Sequence, residues 1–393
     1  MSPHSLSLED QIASLAQTAQ SQALDDAARL RSLKAARSLV EALGSPPETV
    51  IQDVVLNPVL LMALRMGVQL GVFQAVRDGD GVTAQQIAAK AGASAIVVDQ
   101  ILKPLAAAGY VRETGVQTYK PSPLTMAMAD PTLEATTRAC FDIGNFCTTY
   151  APEYFHRNGN QFPTSAEDTP FQLAKNTPLS YFNWLGENPS LAKDFQQWMT
   201  LKQQATPNWV DWFDVPGTVL DGFRNQPDEV LLVDVGGGEG HYLHAFNKKF
   251  PDAPGRRILQ DLPQVISSIA DAPAQTELMA HDFFTAQPVQ GARAYYMHWI
   301  LHDWRDEQAR DILQNIVAAM EPGYSRLIIN DQIIPDRDCD FATACIGIMM
   351  MLQVGALERT EKQWRGLLTS VGLTDVSFHQ APGAEGIIIA RKS

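Results

Sequence analysis

The chain has 393 residues, 45% of them hydrophobic, enough for two or three domains with a sizeable core. Its 30 Lys and Arg against 44 Asp and Glu give a formal charge of −14, which disfavours a phosphate backbone and so nucleic acid as a partner. Four cysteines without CxxC or Cys/His spacing, no secretory signal in Met1-Ser-Pro-His-Ser5 and no uninterrupted apolar run of roughly 20 residues lead to the expectation of a cytoplasmic protein with reduced thiols, no metal and no membrane partner.

Residues 1–50 read as an N-terminal helical arm. Leu6, Leu8, Ile12, Leu15, Ala16 and Ala19, then Ala27, Leu30, Leu33, Ala36, Val40 and Leu43, recur near helical spacing until Gly44-Ser-Pro-Pro47 breaks the pattern. Spacing leaves open whether the arm packs on its own domain or on a partner subunit. Residues 51–130 form a second domain. Asn57-Pro58 opens a helix, Gly71-Val-Phe73 and Gly79-Asp-Gly81 read as a turn, and Thr83-Ala-Gln-Gln86 has capping-box spacing. A helix runs through Val97, Ile101, Leu102 and Leu105, and residues 109–119 read as a hairpin. Helix–turn–helix followed by a hairpin is a winged-helix pattern. Residues 55–130 carry six Lys/Arg against five Asp/Glu and so present no basic face, which favours packing or dimerisation over DNA binding. Residues 131–220 read as a helical linker dense in aromatics (Tyr181, Phe182, Trp184, Phe195 and Trp198 among them). Singly these are core residues, and together they suit the wall of a pocket for a flat apolar ligand.

From residue 221 to 393 strands and helices alternate, which predicts an α/β domain with a doubly wound, mostly parallel sheet. Strands are expected at Val230–Val235, Arg257–Gln260, Glu277–His281, Ala294–Met297, Ser325–Asn330 and Gly386–Ala390, with helices over 241–250, 263–270, 306–320 and 360–371. The first strand breaks into Gly236-Gly-Gly-Glu-Gly240 and then a helix, the arrangement of a nucleotide-type cofactor site. Asp261, 21 positions past Gly240, is placed to accept the hydroxyls of a ribose. Rossmann dehydrogenases share that logic, but the glycine spacing here is too compact for their pyrophosphate turn. A cofactor with a ribose and no pyrophosphate fits better, and S-adenosylmethionine is such a molecule. Asp282-Phe283 offers an acceptor and an apolar face for an adenine, or Asp282 simply caps a turn.

His302 follows the fourth strand, where ligands gather in open sheets, and a neutral imidazole suits removal of a hydroxyl proton. A lone histidine there is more often structural. Asp331, at the end of the fifth strand, and Glu358, before the last helix, alter that if they converge on the ring.

With these residues in place, the chain resembles the S-adenosylmethionine-dependent small-molecule O-methyltransferases of the winged-helix, caffeic-acid type from plants and fungi. The resemblance spans about residues 55–391 and rests on Val233–Gly240, Gln260-Asp-Leu-Pro263, His281-Asp-Phe-Phe284, Leu301-His-Asp-Trp304 and Leu357-Glu-Arg-Thr-Glu361. It implies that Asp234, Gly236 and Gly238 hold the methionine end of the cofactor, Asp261 with Leu262 the ribose, and Asp282 with Phe283 the adenine. His298 stands near the cofactor, where plant relatives carry lysine. His302 is the implied base, flanked by Glu358 and by Asp331, one methylene shorter than the Glu of many relatives. Leu191, Phe195, Met199, Trp299, Met349 and Gln353 are the implied acceptor wall for a hydroxylated small molecule. The family's obligate homodimer, in which the N-terminal part closes the neighbour's site, explains a winged helix without a basic face. Two other readings stand beside methyl transfer: a same-fold pericyclase or dehydratase that keeps the cofactor as a fixed cation, and a winged-helix regulator that senses a small molecule.

Overall fold

The structure, a computed structural model, describes residues 7–21, 24–226, 228–270, 272–381 and 383–393. Leu6 and the rest of the opening segment lie outside them. The chain divides into two compact units, Met1–Ser122 and Pro123–Ser393, so the aromatic helices at 131–220 share a unit with the sheet.

In the first unit, the arm folds as two helices, Leu8–Ser21 and Asp26–Leu43. Three helical segments then run on from one another over Pro46–Gln69. That 24-residue helix is long and apolar enough, by length and composition alone, to cross a membrane, which a search for uninterrupted apolar runs misses. Glu48, Asp53 and Arg65 punctuate it, and Val50, Val54, Val55 and Val59 leave a wide apolar face uncovered within the described chain. The Thr83 capping box forms as expected: Gln86 N–H donates to the Thr83 hydroxyl and Thr83 N–H to the Gln86 side chain. Helices Ala84–Ala91 and Ala95–Ala107 and the hairpin Val111–Gly115/Thr118–Pro121 follow, with Val82–Thr83 as a third short strand. Gly71-Val-Phe73 is not a turn. Gly71 caps a buried helix, Val72–Arg77, whose six residues are too few to show a period.

In the second unit a seven-stranded sheet is built from β1 (Val230–Val235), β2 (Arg256–Asp261), β3 (Glu277–Ala280), β4 (Ala294–His298), β5 (Arg326–Asp331), β6 (Leu373–His379) and β7 (Gly386–Lys392). Their order across the sheet is β3-β2-β1-β4-β5-β7-β6. All pairings are parallel except those of β7, which runs antiparallel to both neighbours. The central strands β1 and β5 are buried along their whole length, as strands covered on both faces must be. Alternation divides their side chains. Val233, Val235, Tyr295, Met297 and Ile329 pack under the helices carrying Ile312, Ile316 and Trp364. Leu232, Ala294, Tyr296 and Ile328 pack under Trp209, Leu243 and Phe246. The strand order reverses between β1 and β4, and the ends of those two strands open the crevice that follows.

Candidate active site

The glycine turn is shaped by contact. Gly236, Gly238 and Gly240 all have positive φ, and a Cβ on Gly237 would sit 2.5 Å from the Asp234 carboxyl carbon. Gly236 and Gly237 N–H both donate to the Gln260 carbonyl, and Gly238 N–H donates to Asp261 at 2.8 Å. Asp261 also accepts Leu262 N–H at 2.7 Å, so its first duty is to tie the turn to the end of β2, leaving its remaining lone pairs for a ribose. Asp282 is exposed and accepts Phe284 N–H at 3.0 Å, the turn-capping alternative, while Phe283 stands half-buried beside Gly236.

Asp234 is buried at the floor of the crevice, and neither of its carboxylate oxygens has a partner. Burial, and then the charge of Asp261, push its carboxyl up to about 7. Glu385 is a second acid here that sequence reasoning missed. It accepts from His298 Nε2 at 2.7 Å while its other oxygen is unpartnered. Buried carboxylate oxygens without donors are costly unless a cation or donor meets them. These orphaned oxygens, the close-approach glycines and the exposed Leu262 beside Asp261 fit the ammonium and ribose of S-adenosylmethionine.

His302 lies on a single turn, Leu301–Asp303, just past β4, and is buried. Its Nδ1 is 2.8 Å from Glu358 and 3.8 Å from Asp331. A carboxylate only accepts, so Nδ1 carries the hydrogen to Glu358 and Nε2 is left without a hydrogen-bond partner. Nε2 faces Asp303 at 3.6 Å, beyond hydrogen-bond length. Two devices bring these groups together. Arg359-Thr360 pairs in parallel with Ile333-Ile334, which seats Glu358 beside Asp331. The fully buried Arg359 guanidinium donates to the Leu301 and Trp304 carbonyls at 2.7 Å each, clamping both ends of the histidine turn. Burial alone would lower the imidazole pKa. Asp331, Asp303 and Glu358 outweigh it and raise it to about 10. Burial raises the Asp303 carboxyl to about 6 and also pushes Asp331 up, against the pull of His302. His302, Asp331 and Glu358 present their ligand-type atoms within 4.8 Å of one another, so this cluster also has the dimensions of a cation site.

Beside His302 opens a cavity of about 660 Å³. Phe195, Met199, Trp299, Met349 and Gln353 line it as expected, together with Tyr181, Phe182, Trp198, Lys202 and Asp303. Leu191 does not. It packs instead against the buried cluster around Phe171, Tyr181 and Leu185, because its place on the Pro189–Ala205 helix turns it into that core. Trp299 adopts φ of +51°, a strained conformation for a bulky side chain that costs roughly 1–3 kcal/mol. It stacks on His298, whose own ring sits 3.9 Å from Tyr242.

The O-methyltransferase domain family matches residues 170–374, and the O-methyltransferase dimerisation domain family matches residues 53–130. The chain belongs to the O-methyltransferase family. It is 39% identical to the O-methyltransferase asqD of Emericella nidulans over 86% of this chain and 87% of that one. It is 36% identical to the demethylsterigmatocystin 6-O-methyltransferase of Aspergillus parasiticus over 81% of each. Among solved structures it is similar to LepI in complex with S-adenosylmethionine, at TM-score 0.86 and 31% identity over 98% of this chain and 100% of that one. OxaC in complex with S-adenosylhomocysteine and oxaline follows at TM-score 0.83 and 26% identity over 98% of each chain. The family's cofactor is S-adenosylmethionine, and this O-methyltransferase is an enzyme of the doubly wound α/β class with a helical dimerisation domain.

Proposed function

We propose that this O-methyltransferase methylates a hydroxyl of a flat aromatic or polyketide-type acceptor, with His302 as general base, no metal, and a homodimer in the cytoplasm as the working form. The observation that carries the reading is the free Nε2 of His302, on a ring anchored through Nδ1 to Glu358, at the edge of an aromatic-walled cavity.

Asp234, Gly236 and Gly238 would hold the methionine end of S-adenosylmethionine, Asp261 and Leu262 the ribose, and Asp282 and Phe283 the adenine. When bound, the cofactor supplies a methyl group on an electron-poor sulfonium. Nε2 takes the acceptor's proton, and Glu358 and Asp331 stabilise the resulting imidazolium. Phe195, Met199, Trp299 and Met349 exclude water and align the hydroxyl, the larger share of the acceleration. With an imidazole placed to take the proton, the reaction has no step that calls for a divalent ion. The similar demethylsterigmatocystin 6-O-methyltransferase of Aspergillus parasiticus acts, by its name, on an oxygen of a small molecule, which supports a hydroxyl acceptor here.

A second reading is favoured by one observation. A solved structure described as a pericyclic reaction enzyme matches at TM-score 0.85 and 31% identity over 98% of this chain. In that reading the acceptor leaves isomerised or dehydrated. Incubation with labelled cofactor and a panel of phenols and polyketides separates the two by mass. Methyl transfer adds one CH₂ and consumes label, and a product of unchanged or water-depleted mass with the label intact overturns it.

A further inference from the structure

Lys202 closes the last turn of the Pro189–Ala205 helix and lines the cavity. Its Nζ lies 3.6 Å from the centroid of the Trp299 ring. Burial pulls its ammonium below the usual lysine range, although Glu385, Glu358 and Asp331 pull the other way. None of those acids forms a hydrogen bond or ion pair with it, although Glu385, Glu358 and Asp331 each keep one oxygen unpartnered. Among the described residues the Trp299 face is the one close contact of its Nζ, which makes no hydrogen bond or ion pair. A half-buried ammonium held over an aromatic face at the cavity wall, with carboxylates near it but none bonded to it, keeps its N–H donors free for an oxygen anion that a ligand brings. Trp299 reaches that position only by accepting a left-handed backbone.

We propose that Lys202 and Trp299 form a subsite for an oxygen anion delivered by a ligand. Two sources share that chemistry: a carboxylate or phenolate on the acceptor, adjacent to the hydroxyl that reacts, and the α-carboxylate of the cofactor. The inference rests on the methyltransferase reading of the cavity. It concerns binding alone, so its failure is distinguishable from a failure of methyl transfer.

Calorimetry on the full-length protein tests it with three probes: S-adenosylhomocysteine, 1-hydroxy-2-naphthoate and the methyl ester of that naphthoate. Lys202→Met keeps the length of the stem and removes the charge. If the acceptor supplies the anion, wild type binds the naphthoate more tightly than its ester. Lys202→Met then loses about tenfold in naphthoate affinity, with ester and S-adenosylhomocysteine unmoved. If the cofactor supplies it, S-adenosylhomocysteine affinity falls by about the same factor and the naphthoate and ester stay equal. Lys202→Arg retains whichever preference is present, which also covers a Lys202→Met chain that fails to fold. No preference for the naphthoate over its ester, together with S-adenosylhomocysteine affinity unchanged in both variants, overturns the subsite. So does an Arg variant that loses what the Met variant loses.

Discussion

The site has two unlike halves. The crevice at the sheet edge is assembled from strand ends: Asp234 from β1, Asp261 from β2, His298 from β4 and Asp331 from β5, all tied by backbone hydrogen bonds or buried pairs. The acceptor wall is assembled from helices, chiefly Pro189–Ala205 and Phe341–Val354, and is mostly apolar, with Met199, Met349 and Met350 in its lining. Strand ends hold groups to a fraction of an ångström. Helix faces of Met and Phe repack. Chemistry therefore belongs to the first half and choice of acceptor to the second, and substitutions in the two should fail differently.

The sharpest break is His302→Ala. Removal of the base should lower kcat by about 10²–10⁴-fold while calorimetry finds cofactor affinity unchanged. Full turnover in that variant would erase the division between the halves. Asp261→Ala attacks the crevice at its cofactor end. It should weaken S-adenosylmethionine binding by about 1–3 kcal/mol, since Gly238 N–H and the ribose lose their acceptor together. On the helical side, Met349→Ala should leave kcat for a small phenol intact and change its selectivity against a bulkier one by about tenfold.

A subtler effect lies in pH. With the His302 pKa near 10 in the cofactor-free protein, the imidazole carries a proton below that value and cannot accept another, so kcat/KM should climb as pH rises. The charge of Asp331 is the largest single cause raising that pKa, so Asp331→Asn should move the climbing limb to lower pH. A limb unmoved in Asp331→Asn would detach it from His302. The smallest expected effect is that of a chelator. Dialysis against EDTA should leave turnover unchanged, and recovery of lost activity by a divalent ion would convert the His302, Asp331 and Glu358 cluster into a metal site.

The same contrast explains what could be read in advance. Strands β1 and β5 announce themselves by the short apolar runs Val230–Val233 and Leu327–Ile329, each followed by an acid that faces the crevice, and the glycine turn, His302 and Glu358 sit in local motifs. The Phe341–Val354 helix does not, because one side packs and another lines the cavity, so it is apolar all round and shows no period. Strand β6 hides for the opposite reason: a register shift between Thr374 and Ser377 breaks its alternation on an exposed edge. Glu385 and Lys202 carry no motif. They matter only because β7 and a helix terminus bring them against His298 and Trp299. Leu191, implied by the resemblance, shares a helical face with Phe195 but lies one turn earlier, where that face meets the Phe171 cluster and not the cavity.

The antiparallel β7 has a further consequence, for timing. It is made after every other strand, yet it occupies an internal slot between β5 and β6, and Glu385 stands immediately before it. Until residues 385–392 leave the ribosome, β5 has a bare edge and His298 Nε2 lacks its acceptor. A ligand that needs the Glu385–His298 pair must therefore wait for residues 385–392, however early the rest of the sheet has formed.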